Sequence, residues 1–251
     1  MRYKTSKSGW NNETNIPSTK IPHSNAYRHD SLSLLFQRRA MRYERCRMLF
    51  GDEGFEKLQK AKILILGVGG VGSYALDCLY RSGVNDITIL DFDIYDETNQ
   101  NRQIGSEAVG MVKVDRLKEL YPSVKTINQR MDMAWVETFD FEPYDIIIDA
   151  ADTTKVKIEV ARKCYKKLIM ALGSAKRYDT SKIEVASIWK THGDALARKI
   201  RNELKKAKFD RNFTVVFSPE EAKCTEKGSC VAVTGAVGLT VCSEAIKRII
   251  K

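Results

Sequence analysis

The chain has 251 residues, room for one large α/β domain or two small ones. With 43% apolar and 29% charged residues, 15 Gly and 5 Pro, it is no collagen, coiled coil or low-complexity polymer. The 42 Lys and Arg outnumber the 32 Asp and Glu, a net charge of +10. That excess points to an anionic partner such as a nucleotide, a nucleic acid or a membrane surface, and carries no information about fold.

In chain order, residues 1–31 are polar and read as a disordered tail. Leu32, Leu35, Phe36 and Met41 fall at helical spacing. An arginine cluster overlaps and follows them: Arg38, Arg39, Arg42, Arg45 and Arg47 against Glu44. Residues 62–66 (KILIL) form a short apolar run, the mark of a buried strand, and end in Gly67-Val68-Gly69-Gly70-Val71-Gly72-Ser73. A helix is predicted over 74–82, then a strand over 87–90 that ends in Asp91-Phe92-Asp93. A helix over 106–120 comes next, then strands at 124–128 and 145–149, a helix over 154–166 and a strand at 168–172. This alternation predicts an α/β fold, a Rossmann-like, mostly parallel sheet with helices on both faces.

The second half has a different pattern. Strands are expected at 183–189 and 213–217, with a basic helix over 194–208 between them. Its Arg198, Lys199, Arg201, Lys205, Lys206 and Lys208 form either a solvated face or a surface for phosphates. Residues 230–250 are apolar but interrupted by Thr234, Thr240, Ser243 and Glu244, which suits a buried C-terminal helix and not a transmembrane span. The expected organisation is a tail over 1–31 and one domain over 32–251. That domain has a nucleotide half to about residue 175 and a smaller substrate-side half with antiparallel strands.

Six cysteines, at 46, 78, 164, 224, 230 and 242, form no C-x-x-C pair, so a thiolate zinc site has no support. They are too sparse for a disulfide framework, and no signal peptide precedes them, so a reducing cytoplasm is the expected compartment. Cys46, Cys78, Cys164, Cys224 and Cys242 are expected to be packing residues.

Glycines at 67, 69 and 72, between a strand and a helix, fit a phosphate-binding turn: the backbone bends tightly and the helix presents free N–H groups. Asp91, at the end of the next strand, is placed to bind ribose hydroxyls. Those features alone suit NAD. The residues after Asp91 suit a triphosphate, because Asn99-Gln100-Asn101-Arg102-Gln103 and Lys113 add cations that a departing pyrophosphate needs. Asp149-Ala150-Ala151-Asp152 adds a carboxylate at the carboxyl edge of the sheet, where Mg²⁺ on ATP needs a ligand.

The set GVGGVGS, DFD, NQNRQ, Lys113 and DAAD resembles the ubiquitin-activating-like superfamily, whose members adenylate carboxylates. Residues 190–201 (KTHGDALARKIR), Val216-Phe217-Ser218-Pro219-Glu220 and Ser229-Cys230 resemble its tRNA threonylcarbamoyladenosine dehydratase branch, with Ala195 where a proline is typical. The resemblance implies that Gly67, Gly69, Gly70 and Gly72 shape the loop beside ATP and that Asp91 binds the ribose. Asp93, Asn99, Arg102 and Lys113 would serve the nucleotide, and Asp152 would hold Mg²⁺. Arg42 or Arg45, with Arg47 open as a third choice, would reach the γ-phosphate of a partner subunit in a homodimer. Cys230 is a candidate reactive residue at a helix start.

The implied partners are tRNA bearing threonylcarbamoyladenosine, a second copy of the chain and a sulfur-transfer protein. The implied reaction is adenylation of the threonyl carboxylate followed by ring closure. Three other readings remain: an activator of a sulfur-carrier or ubiquitin-like protein, a non-catalytic subunit of such an activator, and an NAD oxidoreductase.

Overall fold

A computed structural model describes residues 41–226 and 228–251. The predicted tail, Leu32, Leu35, Phe36, Arg38 and Arg39 lie outside the described residues. Residues Tyr43–Lys251 form one compact unit, and Arg42 belongs to the segment before it.

Seven strands form a single sheet in the order β3-β2-β1-β4-β5-β7-β6. They are β1 (Lys62–Leu66), β2 (Asp86–Leu90), β3 (Lys125–Ile127), β4 (Ile146–Asp149), β5 (Leu168–Ala171), β6 (Glu184–Ser187) and β7 (Thr214–Phe217). Every neighbouring pair is parallel except β6–β7, so only the edge strand β6 runs against the rest. The substrate-side half therefore extends the nucleotide half's sheet.

The helices are α1 (Glu44–Lys60), α2 (Gly72–Arg81), α3 (Lys113–Leu120), α4 (Met133–Thr138), α5 (Thr154–Cys164), α6 (Ala195–Lys206) and α7 (Val231–Ile250). Strand side chains alternate between faces, and the alternation divides the interior in two. Ile63, Ile65, Ile87, Ile89 and Ile148 pack on one face with α1, α2, α3 and α7. Leu64, Leu66, Leu90, Ile147 and Met170 pack on the other with α4, α5 and α6. Burial on both faces is why the strands read as continuous apolar runs.

Four expectations need correction. The helix predicted over 106–120 begins only at Lys113. Residues 110–113 instead bond back to the segment after β2: Tyr95 N–H donates to Met111 O (2.9 Å), Gly110 N–H to Tyr95 O (2.8 Å) and Lys113 N–H to Asp93 O (3.0 Å). A tertiary partner for the backbone outweighs helical propensity there. The basic helix ends at Lys206, and Lys208 lies beyond it in a left-handed conformation. Cys78 on α2 and Cys242 on α7 form a disulfide, because the close packing of those two helices brings together residues 164 apart in sequence. Cys224 is exposed and packs no core. The periodicity around residue 41 also did not reveal α1, which is bent at Gly51.

Candidate active site

In open parallel sheets, ligands sit beyond the carboxyl ends of the strands where the strand order reverses, here between β1 and β4. A cavity of about 700 Å³ opens at that point. The loops after β1, β2, β4 and β5 wall it, and the segment Asn99–Gln103 and Thr234 of α7 complete it.

The glycine loop is tightly constrained. Gly67 has φ +84°, and a Cβ there would come within 2.9 Å of the Ala151 backbone. A Cβ on Gly72 would stand 1.9 Å from the Gly67 carbonyl oxygen, so only glycine lets the turn close onto α2. Gly69 and Gly70 line the cavity.

Asp91 is 8% exposed, and backbone donors engage both its oxygens: Val68 N–H on Oδ2 (2.8 Å) and Asp93 N–H on Oδ1 (2.9 Å). It fixes the glycine loop against the end of β2 as well as facing the cavity. Asn99 is buried at the end of a short 3-10 turn, Glu97–Asn99, where its side chain and that of Asp96 cap the turn reciprocally. That cap presents Arg102. Its Nη1 donates to Thr98 O (2.7 Å) and Asn101 Oδ1 (2.8 Å), while Nε and Nη2 have no partner among the described residues. Lys113, the first residue of α3, is 5% exposed and its Nζ lies 3.0 Å from Asp93 Oδ2. An ammonium has three donors, so this pair leaves Lys113 capacity for a phosphate.

Asp152 is exposed on the cavity wall just after β4. No cluster of three or more His, Cys, Asp or Glu able to cage a metal occurs among the described residues. A lone carboxylate still suits Mg²⁺ carried by a nucleotide, since that ion ordinarily takes one or two carboxylates and fills its shell with phosphate oxygens and water.

Arg102, Lys113, Asp91, Asp93, Asn99, Asp152, Gly67, Gly69 and Gly70 thus line one cavity, whereas Gly72 stands behind it, packed against the Gly67 carbonyl. Arg45 and Cys230 do not line it. Arg45 is exposed on α1, whereas Arg47 is tied to its own helix by Asp52 (3.0 Å) and by the Phe55 ring (5.6 Å). Cys230 occupies the N-cap position of α7, and its thiol donates to Arg177 O at 3.8 Å.

Several wall residues carry no sequence signal of their own. Lys157 of α5 is 1% exposed and spends its donors on Asp149 Oδ1 (2.9 Å), Asp149 O (3.2 Å) and Ala171 O (3.0 Å), joining the ends of β4 and β5. The other Asp149 oxygen, Oδ2, is buried without a partner. A lysine one helical turn past Thr153 belongs to no motif, and only its burial reveals it. Gln103 was visible within NQNRQ; it lines the cavity with Oε1 unpartnered.

Residues of the second resembling segment build the wall's support. Arg177 donates to Gly173 O (2.6 Å), Glu220 O (2.9 Å) and Asp194 Oδ2 (3.1 Å). Asp194 also caps α6 through the Ala197 N–H (2.6 Å), and burial pushes its carboxyl above the usual range despite these bonds.

Comparison with known proteins fits this geometry. The chain is 36% identical over 190 residues to tRNA threonylcarbamoyladenosine dehydratase of Bacillus subtilis, covering 71% of this chain and 74% of that one. It is 27% identical over 204 residues to molybdopterin-synthase adenylyltransferase of Haemophilus influenzae, covering 78% and 77%. Its fold superposes with a TM-score of 0.78 on the crystal structure of E. coli tRNA N6-threonylcarbamoyladenosine dehydratase in complex with ATP, at 27% identity over 91% of this chain and 97% of that one. The ThiF family model matches residues 43–251, the whole unit that carries the cavity, and the chain belongs to the ThiF family.

Proposed function

We propose that the protein is an ATP-dependent enzyme of tRNA modification. It adenylates the threonyl carboxylate of threonylcarbamoyladenosine beside the anticodon and closes that group into a ring. The observation that carries this reading is the convergence of Arg102, Lys113 and Asp152 on the cavity of the glycine loop, in a chain similar to two bacterial dehydratases.

The charges dictate the chemistry. A carboxylate oxygen of the substrate attacks the α-phosphorus of ATP, the bond to the bridging oxygen breaks, and pyrophosphate leaves. Negative charge grows on the phosphates as this happens. Arg102 and Lys113 hold fixed positive charge at the cavity wall, where it stabilises the transition state without reorganisation. Asp152 would hold Mg²⁺, which when bound neutralises further phosphate charge. The carbamoyl group then attacks the activated carbonyl carbon, AMP departs, and a carbamoyl proton is released. Because the attacking group is tethered to the same base, its effective concentration is high and no enzyme nucleophile is needed. Cys230, outside the cavity wall, has no part in this sequence of steps.

A homodimer working in the cytoplasm belongs to the same reading. Met48 and Leu49 on α1 are 74% and 77% exposed, and Arg45 lies three and four residues before them on the same helical face. An apolar face with a free arginine suits contact with a second copy's nucleotide.

Pyrophosphate release tests the function. ATP with tRNA carrying the threonylcarbamoyl group should give signal, and unmodified tRNA should give none. Asp152→Ala should abolish the signal while the fold survives; turnover like wild type would sink the metal assignment. Release driven by a small carrier protein instead of tRNA would favour the sulfur-carrier reading.

A further inference from the structure

Helix α6 buries Ala197, Ile200 and Leu204 and turns the opposite side outward. On that side Arg198, Lys199, Asn202, Glu203, Lys205 and Lys206 line an open groove of about 490 Å³. Lys206 is held by Glu203 at 2.7 Å, but Arg198, Lys199 and Lys205 have no ion-pair partner among the described residues. Arg201, which the sequence grouped with them, instead donates inward to the Thr191 hydroxyl. The groove starts at Ala195, at the end of the helix where the next residue, Leu196, lines the nucleotide cavity. At 1.5 Å per residue it runs about 17 Å.

We propose that this strip holds the phosphate backbone of the tRNA whose modified base enters the cavity; the inference rests on the function proposed above. The chemistry of the strip selects that occupant. Three of its four cations, Arg198, Lys199 and Lys205, are exposed and have no ion-pair partner among the described residues, as counterion-releasing phosphate contacts require. A membrane-lying helix needs an apolar face to insert, and that face of α6 is spent in the core. A protein interface needs aromatic or aliphatic anchors, and the groove lining has none. Arg198, Lys199 and Lys205 position the RNA without reading its sequence.

The test compares two triple variants of equal charge. One is Arg198→Ala with Lys199→Ala and Lys205→Ala. The other removes Lys60, Lys125 and Lys247, which are each paired with a carboxylate elsewhere on the surface. Binding of unmodified tRNA is measured across a salt series. Each lost phosphate contact removes about 0.7–0.9 from the slope of log K against log salt, so the strip variant should flatten it by about two to three. The control should keep the wild-type slope, and ATP affinity should be the same in all three proteins. With modified tRNA, the strip variant should raise KM and keep kcat. Equal slopes in the two variants would overturn the proposal. Loss of binding to phosphatidylserine vesicles with an unchanged tRNA slope would overturn it in favour of a membrane. Wild-type protein that releases no pyrophosphate on modified tRNA would refute the proposed reaction instead, and the slopes alone would then judge the strip.

Discussion

Lys113 and Lys157, at the carboxyl edge of the sheet, are 5% and 1% exposed and lie 3.0 and 2.9 Å from a carboxylate. Arg198, Lys199 and Lys205, on the outer side of α6, are exposed and stand without an ion-pair partner among the described residues. The two groups carry the same formal charge and are built for different work. A buried cation must be paired, because an unpaired charge in the interior is too costly to keep. Once paired it holds one position, which is what stabilising a developing phosphate charge requires. An exposed cation costs nothing to leave free. It acts through number and proximity, and salt weakens it.

This contrast makes predictions, and the largest concerns Lys157. Lys157→Met leaves Asp149 buried and unpaired, and should cost about 3–5 kcal/mol of stability in denaturant unfolding. Adding Asp149→Leu to the same chain should restore most of that loss, since an apolar pair of similar volume is often neutral. If the single variant unfolds like wild type, the pair does not brace the ends of β4 and β5.

Arg102→Ala comes next. It should slow pyrophosphate release by about 10²–10³-fold, roughly 2.7–4 kcal/mol in the barrier, with little change in Tm because the residue is half-exposed. A smaller, backbone-level effect is expected at Gly72→Ala. The Cβ meets the Gly67 carbonyl, so stability should fall by about 1–3 kcal/mol and ATP affinity with it. Calorimetry that found ATP binding intact would mean the loop can relax.

The smallest effect separates buried from exposed thiols. Burial pushes the Cys164 thiol up to about 12, so at pH 8 it is almost wholly protonated and should resist alkylation in the native protein, whereas exposed Cys224 should react. After unfolding without reductant, four cysteines should label, because Cys78 and Cys242 are bonded. Six labelled cysteines would remove the bridge.

Much of the nucleotide site was legible in order along the chain. The apolar run 62–66 forms β1, and Gly67, Gly69 and Gly70 after it, Asp91, Asn99, Arg102, Gln103, Lys113 and Asp152 all line the cavity at its carboxyl end. Each is a local signal: a strand end, a turn that only glycine closes, or a charge placed just after a strand. The arginines around the start of α1 are legible as charge but not as geometry. Their spacing says nothing about which of them faces a nucleotide, and Arg45 does not face the cavity of its own chain.

What the sequence determined by itself is the alternation of strand and helix, the phosphate-binding turn and the order of charged groups around it, because each is encoded within about ten neighbouring residues. Tertiary structure decided the rest. Residues 106–112 form no helix, because Gly110 and Met111 pair with the segment after β2. Lys157 found Asp149 across the ends of two strands, and Cys78 met Cys242 where α2 and α7 pack. On α6 the buried face turned Arg201 toward Thr191 and left Arg198, Lys199 and Lys205 outside. These outcomes depend on which surfaces are buried together, and no local window of sequence contains that information.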